Sequence, residues 1–134
     1  MATNERAVGH TRRVAGYATG HDSGDLLIHN AWPGVVLKNI KGTTEALTTI
    51  DGREIVGEYG DGVGDIQVEG VFKVVDETYP ASTLADGDAV DRNSASGVIA
   101  AAVAANRMGH VMGDPWIEDS IQYVAVKLLG RPNV

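Results

Sequence analysis

The chain contains no cysteine, and that single absence removes a large part of chemical space. It excludes disulfide staples, zinc–thiolate sites and thiol nucleophiles. Long apolar runs are missing too. Nothing approaches the ~20 consecutive apolar residues of a membrane-spanning helix. "MATNERAVGH" (Met1–His10) lacks the apolar core of a signal peptide, so synthesis in a cytoplasm without secretion by the standard route is expected. Positive charge is scarce: 11 Lys and Arg stand against 18 Asp and Glu, a net charge of −7. That balance disfavours general affinity for nucleic acid, which needs a cationic face to displace counterions.

The 134 residues suit one domain with a sizeable core. Charge is unevenly spread. Arg6, Arg12 and Arg13 face only Glu5 within Met1–Arg13, whereas the remainder is strongly acidic. The expected organisation is a basic N-terminal arm at 1–13 and a β-rich domain at 14–134.

Glycine is abundant, at 17 residues, and separates short apolar runs. This is the punctuation of an all-β domain with tight turns. Strands are expected at Arg12–Ala18, Asp25–His29, Gly34–Asn39, Glu54–Tyr59, Asp65–Val75, Asp88–Arg92, Gly97–Ala102, Arg107–Met112 and Ile121–Leu129. The clearest alternation runs through Asp65–Val75. Ile66, Val68, Gly70, Phe72 and Val74 share one face, and Asp65, Gln67, Glu69 and Lys73 the other. The alanine-rich "SASGVIAAAVAANRMGH" is open to a helix by propensity. Gly97, Gly109 and the β-branched Val98-Ile99 favour two strands joined by a turn at Ala104–Asn106. The fold class that follows is mainly β: a small barrel or sandwich of short antiparallel strands, with at most one or two short helices.

Four Gly-Asp pairs precede apolar residues, at Gly24-Asp25, Gly64-Asp65, Gly87-Asp88 and Gly113-Asp114. Glycine takes the backbone conformation that ends a turn, and the aspartate bonds nearby N–H groups as a strand begins.

Motifs that carry chemistry fail their tests. "NIKGTT" lacks the glycine frame of a phosphate-binding loop. "GHDSG" and "NSASG" misplace a residue of the serine-hydrolase elbow. His10, His21, His29 and His110 have no metal-ligand spacing, although "HDSGD" with His29 forms a weak candidate cluster. "ADGDAVDRNSASG" resembles a calcium loop only superficially. Counting from Asp86, position 5 is Val90, position 6 is Asp91 and position 12 is Gly97. The stretch reads instead as a β-hairpin whose acids shape a turn and face solvent. No catalytic residue, cofactor or metal is assigned. Trp32 in "NAWPGVV" and Trp116 in "GDPWIED" each sit beside a proline at a loop–strand junction. They are core plugs or interface anchors.

Five stretches occur in order: "SGDLLIHNAWPGVVL" (Ser23–Leu37), "GVGDIQVEGVFKVV" (Gly62–Val75), "LADGDAVDRNSASGVIAA" (Leu84–Ala101), "NRMGHVM" (Asn106–Met112) and "SIQYVAVKLLG" (Ser120–Gly130). Together they resemble the capsid cement, or head decoration, proteins of tailed phages. This family was long listed as a domain of unknown function and is sometimes labelled a predicted RecA-like recombinase. The segment Gly42–Asp61 is longer and more polar than the family pattern. "NRMGHVM" and "GDPWIEDS" also depart from it. The resemblance implies a non-enzymatic virion protein on the capsid exterior. Its partners would be the major capsid protein and further copies of itself, with a trimer favoured, and neither nucleic acid nor membrane is expected as a partner. It also implies an arm that pairs with a capsid strand. Arg6, Arg12, Arg13, Trp32 and Trp116 are the expected contact residues. The alternatives are a phage tail or host-surface binding module, and a recombinase-like nucleic-acid-handling protein.

Overall fold

The computed structural model describes residues 11–133. Twelve strands alternate with tight turns: β1 Thr11–Val14, β2 Leu26–His29, β3 Trp32–Val36, β4 Ala46–Thr48, β5 Glu54–Tyr59, β6 Gly64–Gln67, β7 Val71–Asp76, β8 Ala89–Arg92, β9 Gly97–Ala100, β10 Arg107–Val111, β11 Trp116–Glu118 and β12 Ile121–Leu128. A 3₁₀ turn at Ala104–Asn106 is the one helical element among the described residues, and it stands where a turn between two strands was expected.

The mainly-β architecture has a five-stranded barrel at its centre. Strands β7, β9, β8, β10 and β12 follow one another round the wall, and the β10–β12 pairing closes it. All contacts in this wall are antiparallel except β7–β9. Closure removes the exposed edges of an open sheet. A barrel of this size is filled by side chains. Val74, Val90, Val98, Met108, Val111, Val124, Val126 and Leu128 supply the filling. Where β10 meets β12, no side chain fits at position 109. A Cβ there would stand 1.9 Å from the Lys127 carbonyl oxygen, so Gly109 is required by the closing seam itself.

The four-stranded sheet β1-β6-β3-β2 packs beside the barrel. Its β2–β3 hairpin is apolar on both faces. Leu26 and Val35 join the barrel core, while Leu27 and Val36 join a second cluster with Val14, Ile40, Ile66 and Val68. A wall buried on both sides explains the near-continuous apolar sequence "LLIHNAWPGVV". Three hydrogen bonds sew the units together. Arg92 Nε donates to the Leu26 carbonyl at 2.7 Å, the Leu26 N–H to Ala95 at 2.8 Å, and the Asn133 N–H to Ala31 at 2.7 Å.

Three expectations need correction. Asp65–Val75 is two strands, not one. Gly70 adopts φ 121°, and the chain leaves the four-stranded sheet after β6 to enter the barrel as β7. The period-two pattern survives the break because each half buries the same face, in different cores: Ile66 and Val68 in one, Val74 in the other. Second, Thr11–Val14 is a strand paired with β6, so Arg12 and Arg13 belong to the sheet and not to an arm. Met1–His10, with Arg6, lies outside the described residues. Third, the acids of "ADGDAVD" do not all face solvent: Asp91 is 2% exposed.

Two of the four Gly-Asp pairs form the same device in detail. In Asp22–Asp25, the Asp25 carboxylate accepts from the Asp22 N–H at 2.9 Å, and the Asp25 N–H donates to the Asp22 carbonyl. In Ala85–Asp88, the Asp88 carboxylate accepts from the Ala85 N–H at 3.0 Å, and the Asp88 N–H donates to the Ala85 carbonyl. Each turn then zips to a second strand in the same way: Gly24 N–H to Val36 and Val36 N–H to Asp25, Gly87 N–H to Val111 and Val111 N–H to Asp88. Gly64 differs. It opens β6, and its missing Cβ makes room for Ile40.

Asp91 is the polar centre of the barrel wall. It accepts hydrogen bonds at 2.7 Å from the N–H groups of Ala102 and Val103 and from Arg107 Nε. Burial pushes its carboxyl up. The two backbone donors and the guanidinium outweigh burial, and the pKa lies below the ordinary carboxylate value. A depressed folded pKa stabilises above the unfolded value and loses that contribution as pH falls through the folded one. The protein is therefore expected to lose stability below about pH 4, and Asp91→Asn to flatten that acid limb in urea titrations at several pH values. The same variant loses about 3 kcal/mol at neutral pH, because Arg107 and two N–H groups lose their anion.

The β2–β3 turn places Asn30 and Ala31 at φ 49° and 68°. Asparagine tolerates this left-handed region, whereas alanine is penalised by its Cβ. Ala31→Gly is expected to raise stability by roughly 0.5 kcal/mol, read as a higher thermal midpoint.

Candidate functional site

Strand β1 brings Arg12 over Trp32. The guanidinium carbon lies 4.5 Å from the centroid of the indole ring. Trp32 packs its body on the second cluster, so the stack shields one face of the ring; Arg12 is half-buried, and its Nε is buried without a hydrogen-bond partner. Arg13 is exposed and lines a shallow cleft with Leu37, Lys38, Asn39, Val63 and Asp65. The cations of this region are Arg12, Arg13 and Lys38, with Asp65 opposite Arg13 in the strand register.

Trp116 belongs to a different surface. It stands on β11, opposite Tyr123 of β12, with ring centroids 6.2 Å apart and nearly parallel. Lys73 of β7 crosses the other strand pair and places Nζ 4.3 Å from the Tyr123 ring centroid. Glu118 closes the group. It accepts from Trp116 Nε1 at 2.6 Å and pairs with Lys73 Nζ at 2.7 Å. Its hydrogen bonds to Lys73 and Trp116 hold the Glu118 carboxyl below its ordinary value, and the Glu118 hydrogen bond raises Lys73. Ile117 and Ile121 stand exposed beside this ladder. The strand order thus joins Arg12, Arg13 and Trp32 in the four-stranded sheet and puts Trp116 on the barrel side. Arg6 lies outside the described residues.

The weak histidine candidates also come together. Tyr17 OH bonds His29 Nδ1 at 3.0 Å, and the Tyr17 ring meets His21 edge-on at 4.8 Å between centroids. Burial raises the Tyr17 hydroxyl, and the charge of Arg92 opposes that rise. Ser23, the nearest hydroxyl in sequence, donates to the Leu37 carbonyl at 2.8 Å. The acids of the calcium-like stretch each address a different donor: Asp86 the Gly113 N–H, Asp88 the Ala85 N–H, and Asp91 the Arg107 cluster. Among the described residues, no three His, Asp or Glu side chains gather at metal-binding geometry.

The third surface was not anticipated as one. All six residues of β5 are exposed, and Ile50 at the tip and Val56 are almost fully so, at 109% and 94%. Strands β4 and β5 pair only with each other. A lone two-stranded hairpin is marginal in water, yet the base of this one is fixed. Thr43 and Thr44 N–H groups donate to Tyr17 and Ala18, and the Gly62 N–H to Lys41. At Gly42 and Gly60 an added Cβ would meet backbone oxygen at 2.0 and 2.3 Å. The sequence signal was the short β-branched run in "EIVGEY" between Gly52 and Gly60, which marks a strand without saying that neither face is covered.

Comparison of the chain with protein-family models, with curated proteins and with solved structures finds no match.

The two tryptophans predict different responses. Trp32→Ala is expected to cost about 2–3 kcal/mol in urea denaturation, because it strips packing from the second cluster. Trp116→Ala is expected to cost less than about 1 kcal/mol, as for an exposed side chain.

Proposed function

We propose that this protein is a non-enzymatic decoration protein of a tailed-phage capsid, bound to the exterior of the assembled head. One contrast carries the reading. The groups available for chemistry are engaged in the scaffold, whereas large apolar side chains are held out on anchored hairpins. Asp91 serves Arg107, Ser23 serves Leu37 and Tyr17 serves His29. Ile50, Val56, Tyr59, Ile117 and Ile121 stand exposed on β-hairpins or their turns. Such placement suits contact with another protein surface. The five ordered sequence stretches support the same reading, and their strands build the barrel, the β2–β3 wall and the neighbouring β6.

In this role the major capsid protein is the partner, and several copies of the decoration protein, favourably three, span neighbouring capsid subunits. A ligand that binds only the mature lattice stabilises it by mass action. Joining copies multiplies weak individual contacts. The segment preceding β1, in which Arg6 is matched by Glu5, would add a strand to an open capsid sheet edge through backbone hydrogen bonds. A phage tail or host-surface module is the second reading, since exposed hairpins serve either place. The acidic charge weighs against a nucleic-acid-handling role.

Because Thr11–Val14 belongs to the sheet, the informative truncation removes Met1–His10 and spares β1. That protein is expected to keep its circular dichroism spectrum and melting temperature. Its occupancy on purified heads, read by gel densitometry and cryo-electron microscopy, is expected to fall at least tenfold at limiting concentration. Full occupancy would refute the arm. Label found only on tails would refute head decoration.

A further inference from the structure

Aspartate stands directly before glycine at Asp51-Gly52, Asp61-Gly62 and Asp86-Gly87. This order invites a reaction of the chain with itself. Glycine has no side chain to keep its amide nitrogen from the carboxyl carbon of the preceding residue. All three aspartates are exposed, and the glycines share a positive φ of 87°, 66° and 90°. What separates the sites is the use made of the glycine N–H, which the reaction consumes.

The Gly62 N–H donates to the Lys41 carbonyl at 2.9 Å, at the fixed base of the β4–β5 hairpin. Gly62 is buried, and a Cβ there would stand 2.5 Å from the Tyr17 carbonyl oxygen, so its backbone has little room to turn. The Gly87 N–H donates at 2.8 Å to the carbonyl of the buried Val111, the last residue of β10. The carboxylates at these two sites are also tied to the main chain. Asp61 accepts from the Val63 N–H and Asp86 from the Gly113 N–H. Asp51-Gly52 is held differently. The Gly52 N–H donates to the Thr49 carbonyl inside the same turn, and Asp51 meets only the side chains of Thr49 and Arg53. The turn closes on itself, with the Thr49 N–H donating to the Arg53 carbonyl. Residues 49–53 are all exposed, and a Cβ at position 52 would meet nothing within 4 Å.

We propose that Asp51-Gly52 is a modification site, at which the folded chain converts aspartate to isoaspartate. The Gly52 nitrogen attacks Asp51 Cγ, an N–Cγ bond forms, and the carboxyl hydroxyl leaves as water with the amide proton. The product is a cyclic imide. Water then adds to one of its two carbonyls. Breaking the N–Cγ bond restores aspartate. Breaking the bond between the nitrogen and the Asp51 main-chain carbonyl carbon sends the backbone through the side chain and frees an α-carboxylate. Neither an oxidant nor a cofactor is needed. The imide has no N–H, so each site loses one hydrogen bond. At Gly52 the carbonyl left behind is on the surface, where water replaces the donor. At Gly62 and Gly87 the loss falls on the scaffold. A two-stranded hairpin also opens locally at low cost, which lets its turn reach the ring geometry. The modified residue is a substrate for methyl transfer from S-adenosylmethionine by an isoaspartyl methyltransferase. The site stands on the turn alone and is independent of the capsid reading.

The full chain is incubated at neutral pH, folded and, in parallel, unfolded in guanidinium chloride, until the unfolded sample has converted measurably at all three sites. Peptide mapping with electron-transfer fragmentation separates the isomers and locates them, and enzymatic methyl transfer counts them. The folded chain is expected to carry roughly tenfold more isoaspartate at 51 than at 61 or 86, and the unfolded chain similar amounts at each. Asp51→Asn, which releases ammonia in place of water, is expected to raise isoaspartate at 51 at least fivefold in the folded chain. Asp51→Ser is expected to abolish the signal there and leave 61 and 86 unchanged. Equal conversion at the three sites of the folded chain, preference for 61 or 86, or conversion at 51 in the unfolded chain only would each overturn the proposal.

Discussion

Of the two buried carboxylates in the barrel wall, Asp76 and Asp91, the path of the chain depends on Asp91. Asp91 lies in β8, yet its three donors come from the segment that leaves β9 and from the start of β10. The carboxylate therefore fixes where the chain turns after β9 and where it re-enters the wall. A wall with a misplaced β10 could not meet β12, and the Gly109 seam would not close. Buried ion pairs often give way to apolar groups at little cost in energy, but here the turn would lose the bonds that specify its path.

Around that centre the two units share structure rather than merely touching. The β2–β3 hairpin gives one face to each core, so neither core is complete without it. Strand β12 serves three neighbours along its eight residues, pairing β7, β10 and β11. Hairpins that are not drawn into these cores project from them, and they carry the most exposed apolar side chains, Ile50 and Val56.

Much of this was legible in sequence, for identifiable reasons. All nine expected strands have counterparts, because glycine punctuation and alternation are local properties. The Gly-Asp device at Gly24 and Gly87 was also readable, since it closes within four residues. What was not legible depends on distant partners. Nothing local to Asp91 tells that Arg107 will neutralise it, and its neighbours Asp86 and Asp88 behave as surface turn residues. The split at Gly70 was hidden because both halves keep the same period while changing sheets. Strands β4 and β11 are three residues long, too short for alternation to register. At the candidate surfaces, Arg12 and Trp32 were singled out separately, and only the sheet register stacks them. Lys73, Glu118 and Tyr123 join Trp116 through strand pairing that sequence spacing does not encode.

The last residues of the described chain run back across both units. The Asn133 N–H donates to Ala31 at the tip of the β2–β3 hairpin, and its side-chain amide donates to Ala105 and Arg107 beside the barrel. This clasp links a turn of the sheet to the segment held by Asp91. Neither unit can open there without releasing the other. Melting is then a single cooperative event, not a loosening of the sheet followed by loss of the barrel.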